Sequence, residues 1–260
     1  PMHVETLTLD AGRGTTLTGY IQPVAGEFEG VVARPVVLIL PGGGYQYCSD
    51  READPVAFPF LAAGYQAFVL RYSVGEHGAW PHPLEDYEHA MRLLIEHAEE
   101  WHLDPEKVAV IGFSAGGHLA AVAATMSRHR PAAAVLGYPV IRQDVADACQ
   151  PGMPSPAEHV GEDTSPCFLF HTRDDDTTVV ENTLTFATAL AAAGVPFEAH
   201  VYAYGSHGFS TGAAHINSRP LAPRARHWVE ESLAWLDDTL GPLTASGIGR
   251  PRIPRNIRGS

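Results

Sequence analysis

A serine set between glycines, Gly112-Phe113-Ser114-Ala115-Gly116, is the segment of this chain best suited to covalent chemistry. It follows the apolar run Val108-Ala109-Val110-Ile111 and precedes an alanine-rich stretch, so Ser114 is expected at the tip of a tight strand-to-helix turn. The glycines supply the room such a turn needs, and the hydroxyl then projects into the open. A free hydroxyl is a poor nucleophile at neutral pH. An acyl-transfer serine therefore needs a base, a carboxylate to orient that base, and N–H donors for the oxygen that becomes anionic. A five-residue pattern recurs by chance, so those other parts decide its meaning.

Candidates for each part lie elsewhere in the chain. Pro41-Gly42-Gly43-Gly44-Tyr45 ends the apolar run Val36-Val37-Leu38-Ile39-Leu40, and bare glycine amides there can approach a substrate oxygen closely. The amides of Gly43, Gly44 and Ala115 are the expected oxyanion hole. His207, in Tyr204-Gly205-Ser206-His207-Gly208-Phe209, occupies a late loop ahead of the terminal helix and is the expected base; His200 and His215 are its competitors. Three aspartates, Asp174, Asp175 and Asp176, follow the run Cys167-Phe168-Leu169-Phe170-His171. Like charges packed together raise one another's pKa, so two of them must be solvated or paired with Arg173. Spacing leaves Asp174 and Asp175 equally placed. His118 reads as a packing or hydrogen-bonding residue, and Arg71 as half of an ion pair. Tyr45, Tyr47 and Trp80 could line a sugar or aryl pocket; the expected substrate contacts are Tyr45, Trp80 and Tyr138. No cluster has the spacing of a metal site, and no cofactor is expected.

These loops need a frame, and the rest of the chain supplies one. Strands are expected over Val4–Leu9, Leu17–Ile21, Val36–Leu40, Gln66–Tyr72, Val108–Ile111, Ala133–Tyr138, Cys167–His171 and Phe197–Tyr202. Helices are expected over Ala53–Ala63, Leu84–Trp101, Gly117–Met126, Glu181–Ala193 and Arg224–Leu240. Runs that are apolar throughout are those of strands buried on both faces. Their alternation with helices implies right-handed crossovers and a mostly parallel sheet. Residues 1–241 read as one α/β domain, followed by a basic, proline-punctuated tail over 242–260 that is either mobile or laid on a neighbouring surface.

Composition narrows the function further. The 260 residues carry 17 Lys and Arg against 30 Asp and Glu, a formal charge of −13, which excludes nucleic acid and anionic membrane as natural partners. Three cysteines, Cys48, Cys149 and Cys167, contain no C-x-x-C pair and indicate neither a disulfide framework nor a zinc knuckle. Pro1 to Thr8 has no basic and apolar signal pattern, and no apolar run approaches the roughly 18 residues of a membrane span, so a cytoplasmic location is expected.

Taken together, the segments Pro41–Tyr45, Gly64–Tyr72, Gly112–Ala120, Tyr138–Ile141, His171–Asn182 and Gly205–Gly208 resemble the acetyl-xylan-esterase-like branch of the α/β-hydrolases, from about residue 35 to 240. The resemblance implies an α/β-hydrolase fold, a mostly parallel central sheet flanked by helices, and the short inserted segments predict no large cap. It also implies that the acid stands four residues after the histidine ending its strand, which is Asp175. The chain departs from that family at Asp176-Thr177-Thr178-Val179, where Val-Val-Pro is usual, and the segment from Arg142 to Ser165 is abbreviated. The implied activity is hydrolysis of short-chain esters, with an acetylated sugar such as a xylo-oligosaccharide as substrate. A feruloyl or other aryl-ester esterase, a serine peptidase and a non-catalytic hydrolase-fold binding protein are the alternatives, and a homo-oligomer is left open.

Overall fold

Successive residues of the central strands face opposite ways, and this alternation sorts the protein into two cores on either side of one sheet. The computed structural model describes residues 1–28 and 30–244; most of the expected tail, residues 245–260, lies outside them. The first half of the chain forms β1 (His3–Asp10), β2 (Thr15–Ile21), β3 (Arg34–Leu40), α1 (Asp54–Ala62), β4 (Gln66–Arg71) and α2 (His82–Glu96). The second half forms β5 (Leu103–Phe113), α3 (Ala115–Met126), β6 (Ala133–Gly137), α4 (Gln143–Cys149), β7 (Cys167–Thr172), α5 (Glu181–Ala193), β8 (Phe197–Tyr202) and α6 (Trp228–Leu240).

The eight strands lie in the order β1-β2-β4-β3-β5-β6-β7-β8. The β1–β2 and β2–β4 pairs are antiparallel and every other pair is parallel. Val36, Leu38, Leu40, Val108 and Val110 point to the face covered by α2, α3 and α5, where they meet Tyr87, Leu94, Leu119, Phe186 and Leu190. Val37, Ile39, Ala109, Ile111 and Phe113 point to the other face, covered by α1 and α6 through Phe60, Trp228 and Leu236. Full burial of a side chain of this size stabilises by about 1.5–3 kcal/mol, so strands buried on both faces anchor the sheet twice over. That anchoring makes the C-terminal ends of the parallel strands a rigid rim.

The helices and strands follow the expected positions with local differences. β5 begins at Leu103, well before Val108, because Arg34 N–H bonds to His102 O and Arg34 pairs with Leu103 across a register shift. β6 stops at Gly137 because Tyr138 takes a positive φ of 36°. α6 begins at Trp228, after a single 3-10 turn over Ala225–His227. α4 is unanticipated: the short connection between β6 and β7 holds this helix and a 3-10 turn over Pro156–His159, and nothing larger.

Candidate active site

The glycine loop follows β3, Ser114 follows β5, the aspartates follow β7 and His207 follows β8. All four strands run parallel, so the four loops meet along one rim. The elbow is as tight as its glycines suggest. A Cβ on Gly112 would lie 2.1 Å from Gly116 O, and one on Gly116 would lie 2.1 Å from Leu40 O. Ser114 itself has φ 54° and ψ −116°, a left-handed conformation that costs on the order of 1–3 kcal/mol in a residue bearing a Cβ. Three main-chain hydrogen bonds hold it there: Ser114 N–H donates to Gly137 O, and Ser114 O accepts from His118 N–H and Val140 N–H.

His207 closes the arrangement. Its Nε2 lies 2.8 Å from Ser114 Oγ and its Nδ1 lies 2.7 Å from Asp175 Oδ2. The other carboxylate oxygen, Oδ1, accepts N–H bonds of 2.9 Å from both Thr177 and Thr178. Buried His171 approaches Oδ2 at 3.4 Å, while its own ring is held by Thr183 Oγ1 and Thr178 O. Burial by itself would raise the Asp175 carboxyl. The hydrogen bonds with His171 and His207 outweigh it and hold the group well below the usual carboxylate range. Asp174, by contrast, is half-exposed, accepts the Gly205 N–H at 2.8 Å, and lies 3.8 Å from Arg173. The geometry therefore separates two residues that spacing could not. The Thr177-Thr178 turn, where the sequence departs from the resembled family, supplies the two amides that cradle Asp175.

Gly43 and Gly44 line the same cleft as Ser114 and His207. Gly43 has a φ of 132°, and a Cβ there would strike Tyr47 O at 2.0 Å, so only glycine fits. Among the described residues, the N–H groups of Gly43, Gly44 and Ala115 donate to no protein acceptor. Ala115 is also the first residue of α3, whose amino end carries partial positive charge. The cleft has a volume of about 300 Å³, and Val145, Ala148 and Cys149 of α4 form an apolar wall. Tyr47 stands at its rim with 60% of its surface exposed.

The three expected substrate contacts do not line this cleft. Tyr45 is fully buried; its hydroxyl donates to His118 Nδ1 at 2.7 Å, and His118 Nε2–H in turn meets Pro154 O at 2.7 Å. Burial lowers His118 to about 4, which keeps the ring neutral in this chain of bonds. Tyr138 is also fully buried, and its ring packs edge-on against His207 at 5.0 Å between centroids. Trp80 is half-buried against the core beside α2. Large rings are drawn into the core because they have the most apolar area to bury. Arg71 pairs with Asp50 at 2.6 Å, as expected.

One residue at this site has no signal in the local sequence. Glu52 is buried beneath the cleft, accepting Gly42 N–H on Oε2 at 2.8 Å and the Tyr138 hydroxyl on Oε1 at 2.7 Å. Tyr138 Oη also accepts Ser210 N–H at 2.9 Å. Glu52 thus links the glycine loop after β3 to the loop that carries His207. Burial pushes its carboxyl up, against the hydrogen bonds from Tyr138 and Gly42, which favour the ionised form.

Known proteins resemble this chain over both halves of its sequence. The BD-FAE family matches residues 29–135 and the prolyl oligopeptidase family matches residues 153–242. MGS-M1, an α/β-hydrolase enzyme from a Medee basin deep-sea metagenome library, is 42% identical with a TM-score of 0.85, covering 92% of this chain and 98% of its own. An acetyl ester-xyloside bifunctional hydrolase from Caldicellulosiruptor lactoaceticus is 30% identical with a TM-score of 0.78, covering 88% and 90%. The acetylxylan esterase of Xylanibacter ruminicola is 29% identical over 77% of this chain. The chain spans 33–49% of the length of the curated relatives it matches first.

Proposed function

The chain belongs to the α/β-hydrolase family, in its esterase branch, and from that premise we propose that it is a serine carboxylesterase whose nucleophile, base and acid are Ser114, His207 and Asp175. The observation that carries this reading is the continuous hydrogen-bonded line Ser114–His207–Asp175 opening onto a cleft edged by unengaged amides. His207 Nε2 takes the Ser114 proton as Oγ attacks the ester carbonyl carbon. The carbonyl oxygen becomes anionic against the N–H groups of Gly43, Gly44 and Ala115, with the amino end of α3 behind them. His207 then gives the proton to the departing alkoxide, so an alcohol leaves and an acyl-Ser114 ester remains. Water, deprotonated by the same nitrogen, releases the acid and restores the hydroxyl. Asp175 holds the Nδ1–H tautomer and stabilises the imidazolium that forms twice per turnover.

The cleft of about 300 Å³ and its short α4 wall suit a small acyl group such as acetyl on a larger alcohol. Residues 1–241 act as one domain in this reading. Acetylated xylo-oligosaccharides are the proposed substrate class, supported by the acetylxylan esterase and acetyl ester-xyloside hydrolase among the relatives. The match of residues 153–242 to the prolyl oligopeptidase family favours a second reading, a serine peptidase. Ser114→Ala tests the mechanism: p-nitrophenyl acetate turnover should fall by at least about 10⁴-fold, and undiminished turnover refutes the assigned nucleophile. Acetylated xylo-oligosaccharides, feruloyl esters and dipeptide amides, assayed side by side, separate the substrate readings. In a p-nitrophenyl series, a preference for acyl chains of about ten carbons or more would rule out the small-acyl cleft, since each added methylene gains only what the pocket can bury.

A further inference from the structure

His207 has a second small cavity on its flank, of about 150 Å³, walled by Arg51, Ile216, Asn217, Ser218 and Arg219 as well as by the imidazole. Arg51 also lines the main cleft, so the two spaces share a side chain next to the reacting atoms. Both arginines are exposed. In a chain with 30 acidic residues against 17 basic ones, Arg13, Arg71, Arg128, Arg142 and Arg173 each lie within ion-pair distance of a carboxylate. Among the described residues, Arg51 and Arg219 have no such partner; Arg34, Arg92, Arg130, Arg224 and Arg226 have none either, but Arg51 and Arg219 are the two that wall the cavity beside His207, and neither guanidinium donates a hydrogen bond to protein.

Arg51 is nevertheless held in place. Its carbonyl accepts the Ser210 hydroxyl at 2.6 Å. Its Nη2 lies over Gly208, the residue after His207, close enough that a Cβ there would stand 3.3 Å away. The nearest acid in the cleft, Glu52, is turned inward to Gly42 and Tyr138, so it lends Arg51 long-range attraction without occupying its donors. A guanidinium presents paired N–H groups in a fixed plane that matches a carboxylate. The protein carries −13 overall, so two arginines beside the base supply positive charge where an anion would otherwise be repelled.

We propose that Arg51 and Arg219 form a carboxylate subsite and that, within the proposed class, the preferred substrate bears an anionic carboxylate close to its scissile ester bond, as in an acetylated xylo-oligosaccharide carrying a sugar acid. The proposal rests on the esterase reading of the main cleft. The carboxylate can sit on the alcohol side or the acyl side, and paired substrates distinguish the two. On the alcohol side, 4-acetoxybenzoate is compared with its neutral methyl ester; on the acyl side, mono-4-nitrophenyl succinate is compared with its methyl ester. Phenol release is followed in each case. The wild-type enzyme should favour the anion in one pair by about fivefold in kcat/KM at low ionic strength, a preference that shrinks as salt is added. With spontaneous release subtracted, the Arg51→Gln, Arg219→Gln double variant should lose that preference, its anion-to-neutral ratio falling about fivefold below the wild-type ratio. Hydrolysis of the neutral esters with no anion preference in either pair overturns the subsite and leaves the esterase reading standing. A preference retained by the double variant also overturns it. A wild-type protein inert towards all four esters overturns the esterase reading, and the subsite with it.

Discussion

Two buried carboxylates flank His207, and they are held in opposite ways. Asp175 meets the imidazole directly, with a second histidine and two main-chain amides around it, and its carboxyl is held low. Glu52 lies against the glycine loop, with one amide and one phenol as donors, and burial pushes it up. Both are nearly inaccessible to solvent. The difference lies in what compensates the lost hydration. Imidazole rings that can carry positive charge favour an anion more strongly than neutral donors do. Asp175 is thereby suited to the proposed mechanism, in which His207 gains a proton in each half-reaction. Glu52 is suited to brace the glycine loop and the His207 loop against each other.

Substitutions can break this comparison. Asp175→Asn should cost the most, on the order of 10⁴-fold in kcat, because an amide at that position favours the wrong imidazole tautomer. A loss below tenfold in p-nitrophenyl acetate turnover would remove Asp175 from the proposed triad. Glu52→Gln keeps one acceptor oxygen for two donors, so either Gly42 N–H or the Tyr138 hydroxyl loses its partner. The expected result is a fall of about tenfold in kcat with KM little changed, smaller than the loss of a whole oxyanion donor because the amides are only displaced. An unaltered kcat would show that Glu52 does not support the loop.

Thermal stability against pH sharpens the contrast, because the two acids act with opposite sign. A carboxyl held below its ordinary 3.8, as Asp175 is, contributes stability above that value and loses it as pH falls through the lowered folded pKa. A carboxyl raised above its ordinary 4.5, as Glu52 is, favours the folded state in its protonated form and detracts from stability as pH rises through its raised value. Asp175→Asn should therefore flatten the acid side of the Tm profile, and Glu52→Gln the rise-of-pH side. Identical profiles for the two variants would abolish the distinction. The smallest effect belongs to Asp174→Asn, expected to change kcat/KM by no more than about twofold, as for a half-exposed group bonded to a loop amide and paired with exposed Arg173. A larger loss would give Asp174 a part in the chemistry.

Much of this protein is legible one segment at a time. Apolar runs such as Val36–Leu40 must be strands buried on both faces, and glycines at 43, 112 and 116 mark places where backbone passes too close for a Cβ. The order of serine, aspartate cluster and histidine could be read because each follows its own strand. The identity of the acid could not be read from spacing. Asp174 and Asp175 are neighbours; the resemblance implied Asp175, and the turn at Thr177-Thr178 together with the approach of His207 from 32 residues away is what sets Asp175 apart in the fold. Tyr45 and Tyr138 look like substrate contacts in a linear chain. Folding draws them inward, because their rings bury more apolar area than they could expose usefully and their hydroxyls find His118 and Glu52.

The sequence by itself determined the strand–helix alternation, the strained elbow at Ser114 and the loops that end at one rim. These depend on burial pattern and on local steric limits, which neighbouring residues express. Tertiary structure alone decided that Glu52 joins Tyr138 across 86 residues, that α4 walls the cleft, and that Arg51 and Arg219 stand together beside His207 without partners. Such pairings depend on where distant loops arrive once the sheet is closed, and no local propensity encodes that.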